Sequence, residues 1–429
     1  MCSCRRGERR CVLSRAYFVG MLFLFGLSGG GTDSFAQGGP FVCTDSLTVD
    51  SFGIMKHKLI ANTRPYRITC VGLPLIAGGL LAMKEDKNFR QLRHDYFPRY
   101  KHTADDYLQY SPAVVMVGMK SFGVKGRSSW GRMLVSDAFS VGVMAILTNT
   151  LKETIRVRRP DGSNTRSFPS GHTATAFMTA TMLTKEYGYK SKWVGFGAYT
   201  VASGVGLMRM ANNRHWLSDV MVGAGIGVMS TELGYFLTDL IFKKKGINRP
   251  VVEEDRYNRW DKPSYLGLRL GGNIPLQEYH LTDGIKLEAT AGCIGGIEGA
   301  YFFNPYVGVG GQFSVANYRI LLENNLSRTL RALTVMTGPY FSYPINSRCL
   351  LGAKLTAGYA RLYSISLLDQ KIPHRQGMDF GTGVSCSYKL RQHYSASVFI
   401  DYNLLPPHSS YTNQIQNMLY AGTSFNILF

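Results

Sequence analysis

From residue 264 onward the hydrophobic period is two, and nothing else in the chain restricts the fold as strongly. Leu266, Leu268 and Leu270 alternate with Gly267, Arg269 and Gly271. Val307, Val309, Phe313 and Val315 alternate with Gly308, Gly310, Gln312 and Ser314. Tyr394, Ala396, Val398, Ile400 and Tyr402 alternate with His393, Ser395, Ser397, Asp401 and Asn403. Successive side chains of a strand point to opposite faces, so each run has one apolar face and one polar or glycine face. Further candidate strands are 285–293, 298–303, 333–343, 351–363, 378–390 and 419–429. About eight or nine such strands of roughly ten residues predict an antiparallel membrane β-barrel, apolar toward lipid and polar toward the lumen. A soluble barrel or sandwich is the alternative. Eight strands enclose a lumen that side chains fill, so a pore is not expected.

Before the barrel the pattern is helical. Apolar segments rich in Gly, Ala, Val and Met cover 71–83, 112–119, 138–149, 172–184, 193–208 and 220–231. None has the roughly 18–20 uninterrupted apolar residues of an ordinary membrane span, so the bundle reads as semi-soluble, shallowly embedded or packed on a membrane surface. The 429-residue chain thus divides into two domains, α then β. The expected boundaries are an export signal over 1–36, a lead-in over 37–65, a helical domain over 66–247, a linker over 248–263 and the barrel over 264–429. Arg5, Arg6, Arg9, Arg10 and Arg15 precede an apolar run, and Ser34-Phe35-Ala36 offers small residues for cleavage.

Lys and Arg number 48 against 28 Asp and Glu, a net charge of +20. The excess is spread along the chain with no aromatic-interleaved basic array, which argues against nucleic acid as partner. In an exported protein such a surface suits anionic lipid head groups. No protein partner is legible. Past residue 36 the cysteines are Cys43, Cys70, Cys293, Cys349 and Cys386, an odd and scattered set that predicts no disulfide framework. No Cys/His cluster has zinc spacing, and no metal or cofactor is expected.

Three polar clusters lie inside the helical domain. Lys152 and Arg159 are seven apart, two turns on one helical face, with Pro160 expected to end that helix. Two cations on one wall of a cleft suit a phosphate, although a solvated basic helix end looks the same. Phe168-Pro169-Ser170-Gly171-His172 reads as a loop entering a helix, whose free N–H groups make an anion site. There Gly171 permits close approach, Ser170 can donate, and His172 can act as a general acid; a plain Ser cap beside an incidental His is the alternative. His215 and Asp219 are four apart, so a carboxylate can hold one imidazole nitrogen and free the other as nucleophile. Alone, such a pair is as readily a surface hydrogen bond. Arg209 is off that face, and a turn through Ala211-Asn212-Asn213 must redirect it.

Together the clusters spell K-x6-R-P, P-S-G-H and R-x5-H-x3-D in that order, a set hard to assemble by accident. The set resembles the type-2 phosphatidic-acid phosphatase family, relatives of which include acid phosphatases and vanadium haloperoxidases. The resemblance is dense over residues 152–219 and extends in outline over 70–245. It implies that His215 is a nucleophile forming a phosphohistidine, Asp219 its orienter and His172 the acid. It makes Lys152, Arg159, Ser170, Gly171 and Arg209 the phosphate cradle. One departure is Met208, where the family often has Ser. The terminal Phe429, on one face with Phe425 and Ile427, resembles the assembly signal of bacterial outer-membrane barrels.

A bundle followed by a barrel resembles lipid A phosphatases of some Gram-negative bacteria. The expectation is therefore a metal-independent phosphatase acting on a lipid in a membrane, with lipid A 1-phosphate as first choice. It places the protein in the Gram-negative envelope, with the site facing the periplasm and the outer membrane favoured over the inner. Phosphatidylglycerophosphate, undecaprenyl diphosphate and the lipid A 4′-phosphate are alternative substrates. Vanadate-dependent halide oxidation, or an adhesin or porin with a vestigial phosphatase domain, are the more distant readings.

Overall fold

A computed structural model of the chain describes residues 64–429 apart from 244, 249–259, 278, 281–285, 322–326, 368–369, 392 and 408–413. The expected export signal, Cys43, nearly all of the lead-in and most of the linker lie outside the described residues.

Nine helices are described: α1 (Arg64–Thr69), α2 (Gly72–Ala82), α3 (Asp86–Tyr96), α4 (Ala104–Leu108), α5 (Ser111–Ser121), α6 (Trp130–Ile155), α7 (Gly171–Tyr187), α8 (Lys192–Ala211) and α9 (Leu217–Phe242). Two are longer than their apolar segments suggest, since α6 and α9 each run 26 residues. Several of their hydroxyl residues sit in the helix by returning the O–H to the carbonyl one turn back. Ser136 bonds Arg132, Ser140 bonds Ser136, Thr231 bonds Gly227 and Thr238 bonds Gly234. Both helices are long and apolar enough to cross a membrane; α9 is mostly buried as the core of the bundle, whereas α6 is mostly exposed.

Helix α9 packs by close backbone approach. A Cβ on Gly223 would stand 2.5 Å from the Ser170 carbonyl oxygen, and one on Gly227 would stand 2.3 Å from that of Ala174. Only glycine permits this spacing, which seats the start of α7 directly against α9. Phe177, Met178, Leu183, Val205 and Val228 fill the rest of the bundle core.

The expectation that Pro160 ends the helix bearing Lys152 is corrected. Helix α6 stops at Ile155, with Arg156 in the left-handed region at φ 50°. A non-glycine residue there breaks the run before the proline is reached. Arg159 therefore lies in the following loop, and it does not share a helical face with Lys152.

The β domain is a closed antiparallel barrel of eight strands. These are β1 (Tyr265–Pro275), β2 (Lys286–Phe302), β3 (Val307–Leu321), β4 (Ser327–Pro344), β5 (Cys349–Leu362), β6 (Arg375–Arg391), β7 (Tyr394–Leu405) and β8 (Gln416–Leu428). Each pairs with the next, and β1 closes the ring by pairing with both β8 (Tyr265↔Leu428) and β2 (Tyr265↔Ala300). The candidate strands 285–293 and 298–303 are one strand, β2. Residues 365–367 and 370–372 form a small separate hairpin between β5 and β6.

The alternation has the expected sense. Val309, Phe313, Val335, Leu355, Phe380, Val384 and Ile400 are exposed on the outer wall, and Arg269, Glu298, Gln312, Lys354 and Asp401 are buried. Tyr394 is the exception. Expected on the lipid face, it is 3% exposed because α8 covers it, with the Tyr199 ring centroid 4.5 Å away. Phe429 meets Trp193 and Phe196 of the same helix.

A second junction runs through α3. Leu92 faces Gly295, the Asp95 carboxylate accepts from Asn317 Nδ2 at 3.1 Å, and Arg331 donates to the Asp95 carbonyl at 2.7 Å. The Tyr96 hydroxyl lies 2.8 Å from the Ala316 carbonyl oxygen and 2.7 Å from that of Ala332. One end of α3 is thus pinned to β2, β3 and β4.

Candidate active site

The Asp219 carboxylate, fully buried in the first turn of α9, gathers three groups on Oδ2. Oδ2 accepts the Ser167 hydroxyl and, at 2.9 Å, the backbone N–H of Trp216. It also lies 3.3 Å from Nδ1 of His215. That contact orients the imidazole and leaves Nε2 as the nitrogen available to an electrophile. His215 precedes α9 and is 3% exposed, so the pair bridges a loop and a helix start instead of two turns of one helix. Burial pushes the imidazole down to about 4 against the opposing pull of Asp219, with Arg209 and Arg159 lowering it further. A neutral ring with a free lone pair is the form that can attack phosphorus.

The start of α7 lies against this pair. Ser170 caps the helix, its Oγ accepting from the Thr173 N–H and lying 2.9 Å from Thr173 Oγ1. Its own N–H donates to the Asp219 carbonyl at 3.0 Å, tying α7 to α9. A Cβ on Gly171 would stand 3.5 Å from Lys152 Nζ, so the ammonium at the end of α6 overhangs the free N–H groups of α7.

Arg159 is held in the loop between α6 and α7, where its N–H donates to the Asn164 carbonyl at 2.9 Å and its carbonyl accepts from Gly162 at 3.0 Å. Its Nε is buried without a hydrogen-bond partner. Burial, and then the charge of Arg209, lower its affinity for the proton. Arg209 sits in the last turn of α8, and a turn through Asn212 and Asn213 redirects the chain between it and His215, with Asn213 at φ 58°. The structure therefore brings Lys152, Arg159, Arg209, Ser170, Gly171, His215 and Asp219 to one place, from four helix ends and two loops.

His172 in the first turn of α7 completes the set, with Nε2 2.8 Å from Asp106 Oδ1. Burial and Arg209 lower its affinity for the proton, and Asp106 opposes them. Asp106, and Asp105 beside it, escaped the sequence reading. Asp105 Oδ2 is 2.6 Å from Arg209 Nη1, and Asn212 Nδ2 donates to Asp105 Oδ1 at 3.3 Å. The available signal was two adjacent carboxylates opening a short helix, a place where the helix dipole favours acids anyway.

The surroundings are basic and aromatic. Trp216 Nε1 donates to the Arg158 carbonyl at 2.8 Å, the Arg90 guanidinium lies 5.7 Å from the Trp216 ring, and Arg214 lies 3.3 Å from Asp161. On the barrel side of the loop, Arg93 donates to the Ala211 carbonyl at 2.8 Å and Asp86 accepts from both the N–H and hydroxyl of Ser218. Among the described residues, no three His, Cys, Asp or Glu side chains gather as a metal-ligand set.

Residues 134–240 match the family model described as the PAP2 superfamily. The chain is similar to the lipid A 1-phosphatase of Porphyromonas gingivalis, at 46% identity over 194 residues, which cover 45% of this chain and 42% of that protein. The chain thus spans less than half the length of that relative. Among solved structures, the PAP2-type phosphatidylglycerolphosphate phosphatase of Bacillus subtilis aligns at 22% identity and a TM-score of 0.31, covering 43% of this chain and 99% of that one. Neisserial surface protein A aligns at 10% identity and a TM-score of 0.29, covering 39% of this chain and 97% of that one. The family match contains Lys152, Arg159, Ser170, Gly171, His172, Arg209, His215 and Asp219. The match to the PAP2-superfamily model thus lies within the helical part of this chain, which an eight-stranded barrel follows.

Proposed function

We propose that the protein is a phosphatase that removes a phosphate from an envelope lipid through a phosphohistidine on His215, with lipid A 1-phosphate as substrate. The observation that carries this reading is the convergence of three cations and a helix N-terminus on a buried, neutral imidazole.

In the first step Nε2 of His215 attacks phosphorus and the bond to the leaving oxygen breaks. His172, entering as imidazolium, gives its proton to that oxygen, and the dephosphorylated lipid leaves. In the second step neutral His172 takes a proton from water as the water attacks the N–P bond, releasing inorganic phosphate and restoring both rings. Lys152, Arg159, Arg209 and the N–H groups at the start of α7 stabilise the equatorial oxygens, the contribution that dominates phosphoryl transfer.

The lipid and its phosphate position rest on the similarity to the P. gingivalis lipid A 1-phosphatase over the segment that holds the site. The exposed apolar flank of α6, which ends at Lys152, supports a substrate reached from lipid. The apolar outer wall of the barrel supports an outer-membrane location with the site toward the periplasm, and the excess of basic residues suits an anionic lipid surface.

The test is a mass spectrum of lipid A from cells making the intact protein or His215→Ala. Lipid A from the mutant is expected to keep one additional phosphate at the 1-position. Unchanged lipid A in both strains moves the substrate to a phospholipid or isoprenoid phosphate, and retained activity in the mutant removes His215 as nucleophile.

A further inference from the structure

Helix α4 presents two adjacent carboxylates, and each takes a different member of the site. Asp105 is 1% exposed and meets Arg209 at 2.6 Å, while Asp106 meets His172 at 2.8 Å and lies 3.7 Å from Arg209. Their backbone is held from outside the helix. Asn212 Nδ2 donates to the His102 carbonyl at 2.7 Å, and the His102 N–H donates to Asn212 Oδ1 at 2.9 Å. The turn that redirects the chain toward His215 therefore also fixes the segment entering α4.

The consequences for the two partners differ. The Arg209 guanidinium spends Nη1 on Asp105, and its buried Nε has no partner. A guanidinium is a planar fork, so fixing one arm fixes the direction of the remaining N–H groups. On His172, Asp106 occupies Nε2, which leaves Nδ1 as the nitrogen that can carry the transferable proton. After that proton moves to the leaving oxygen, the neutral ring keeps its Nε2–H on the carboxylate, ready to accept at Nδ1 from water.

We infer that Asp105 and Asp106 are positioning residues with divided tasks, Asp105 aiming Arg209 at the phosphoryl group and Asp106 aiming Nδ1 of His172 at the leaving oxygen. This rests on the phosphatase reading, and the division gives it a signature that a merely structural role lacks. Every substrate has the same phosphoryl group, so loss of Asp105 acts on all of them alike. Only a poor leaving group needs a proton, so loss of Asp106 acts according to the leaving group.

The experiment compares an alkyl phosphate monoester in detergent with p-nitrophenyl phosphate, on the full chain carrying Asp105→Asn, Asp106→Asn or His172→Ala. Asp106→Asn is expected to lower kcat/KM, which reports the step in which the leaving group departs and not the common hydrolysis of the phosphohistidine, by about 10- to 100-fold on the alkyl ester, a share of the 10²–10⁴ typical of general acid catalysis, and to lower it far less on the aryl ester. Asp105→Asn is expected to lower both to the same degree. Equal losses on both esters in Asp106→Asn, or no loss on either, would overturn the assignment of Asp106. A leaving-group-dependent loss in Asp105→Asn would overturn that of Asp105. His172→Ala separates this proposal from the reading beneath it, because a mutant with no leaving-group dependence removes His172 as the acid. If Asp106→Asn does not fold, Asp106→Glu, which keeps the charge and displaces it by one methylene, is read on the same two esters.

Discussion

In the barrel lumen Arg269 and Lys354 each meet both Glu298 and Asp401, whereas in the helical domain Lys152 and Arg159 meet no carboxylate at ion-pair distance among the described residues. The lumen holds two cations and two anions within a few ångströms, at 2.9 Å for Lys354 to Asp401 and 3.1 Å for Lys354 to Glu298. Gln312 closes the group by accepting from Lys354 at 2.8 Å and from Arg269. Buried charges in that state are matched to one another and have no remaining call on a ligand. At the site the anions are already taken. Asp219 holds His215, and Asp105 holds Arg209. What remains is unmatched positive charge facing a helix N-terminus, the partner that the proposed phosphate substrate would supply. The same residue types thus make a plug in one place and a receptor in the other, and the pairing count separates the two.

The sharpest test of that difference removes one cation from each region. Arg269→Met leaves Glu298 and Asp401 with one cation between them, and it is expected to cost about 3–5 kcal/mol of stability. Urea unfolding of the detergent-solubilised protein measures this, with turnover per folded molecule unchanged. Arg159→Ala should do the opposite, lowering kcat by about 10²–10³ while the unfolding midpoint holds or rises, since a crowded like charge is gone. A stability loss in Arg159→Ala as large as in Arg269→Met would erase the distinction.

A smaller effect follows from the protonation of the two histidines. In the proposed mechanism neutral His215 is the nucleophile, and its affinity for the proton is pushed down to about 4. As pH falls through that value Nε2 acquires a proton, and kcat/KM of the free enzyme should fall with it. His172 must be protonated to serve as acid, and burial lowers it from the ordinary value of 6.5. The alkaline limb is therefore expected below that of an ordinary histidine. A pH–rate profile with its acid limb near 6.5 would show that His215 is not the buried neutral ring described here.

The barrel was the most legible part of the chain because period two survives any detail of loops, and Leu266 through Leu270 or Ser395 through Asn403 state it plainly. It misassigned Tyr394 because alternation reports which face a residue takes, not whether a helix lies over that face. The site clusters were legible by order and spacing, but their placement was not. Arg159 left the helix at a left-handed Arg156, a conformation that no glycine announced. The lengths of α6 and α9 were hidden by hydroxyls that satisfy themselves one turn back. Asp105 and Asp106 were hidden by the chain between them and their partners, 107 residues from Asp105 to Asn212 and 66 from Asp106 to His172, separations that local patterns do not report.

Helix α3 touches the barrel wall at Leu92, Asp95 and Tyr96, and it touches the loop that carries His215 at Asp86, Arg90 and Arg93. The loop from Ala211 to Ser218 is thereby surveyed from strands β2 to β4, roughly as an instrument is levelled against a wall. For anyone exchanging parts between proteins of this architecture, the transferable unit is therefore not the bundle alone. A chimaera that keeps α3 but changes Ala316, Asn317, Arg331 or Ala332 moves the datum from which His215 is set. One that carries the bundle together with this patch of wall keeps it.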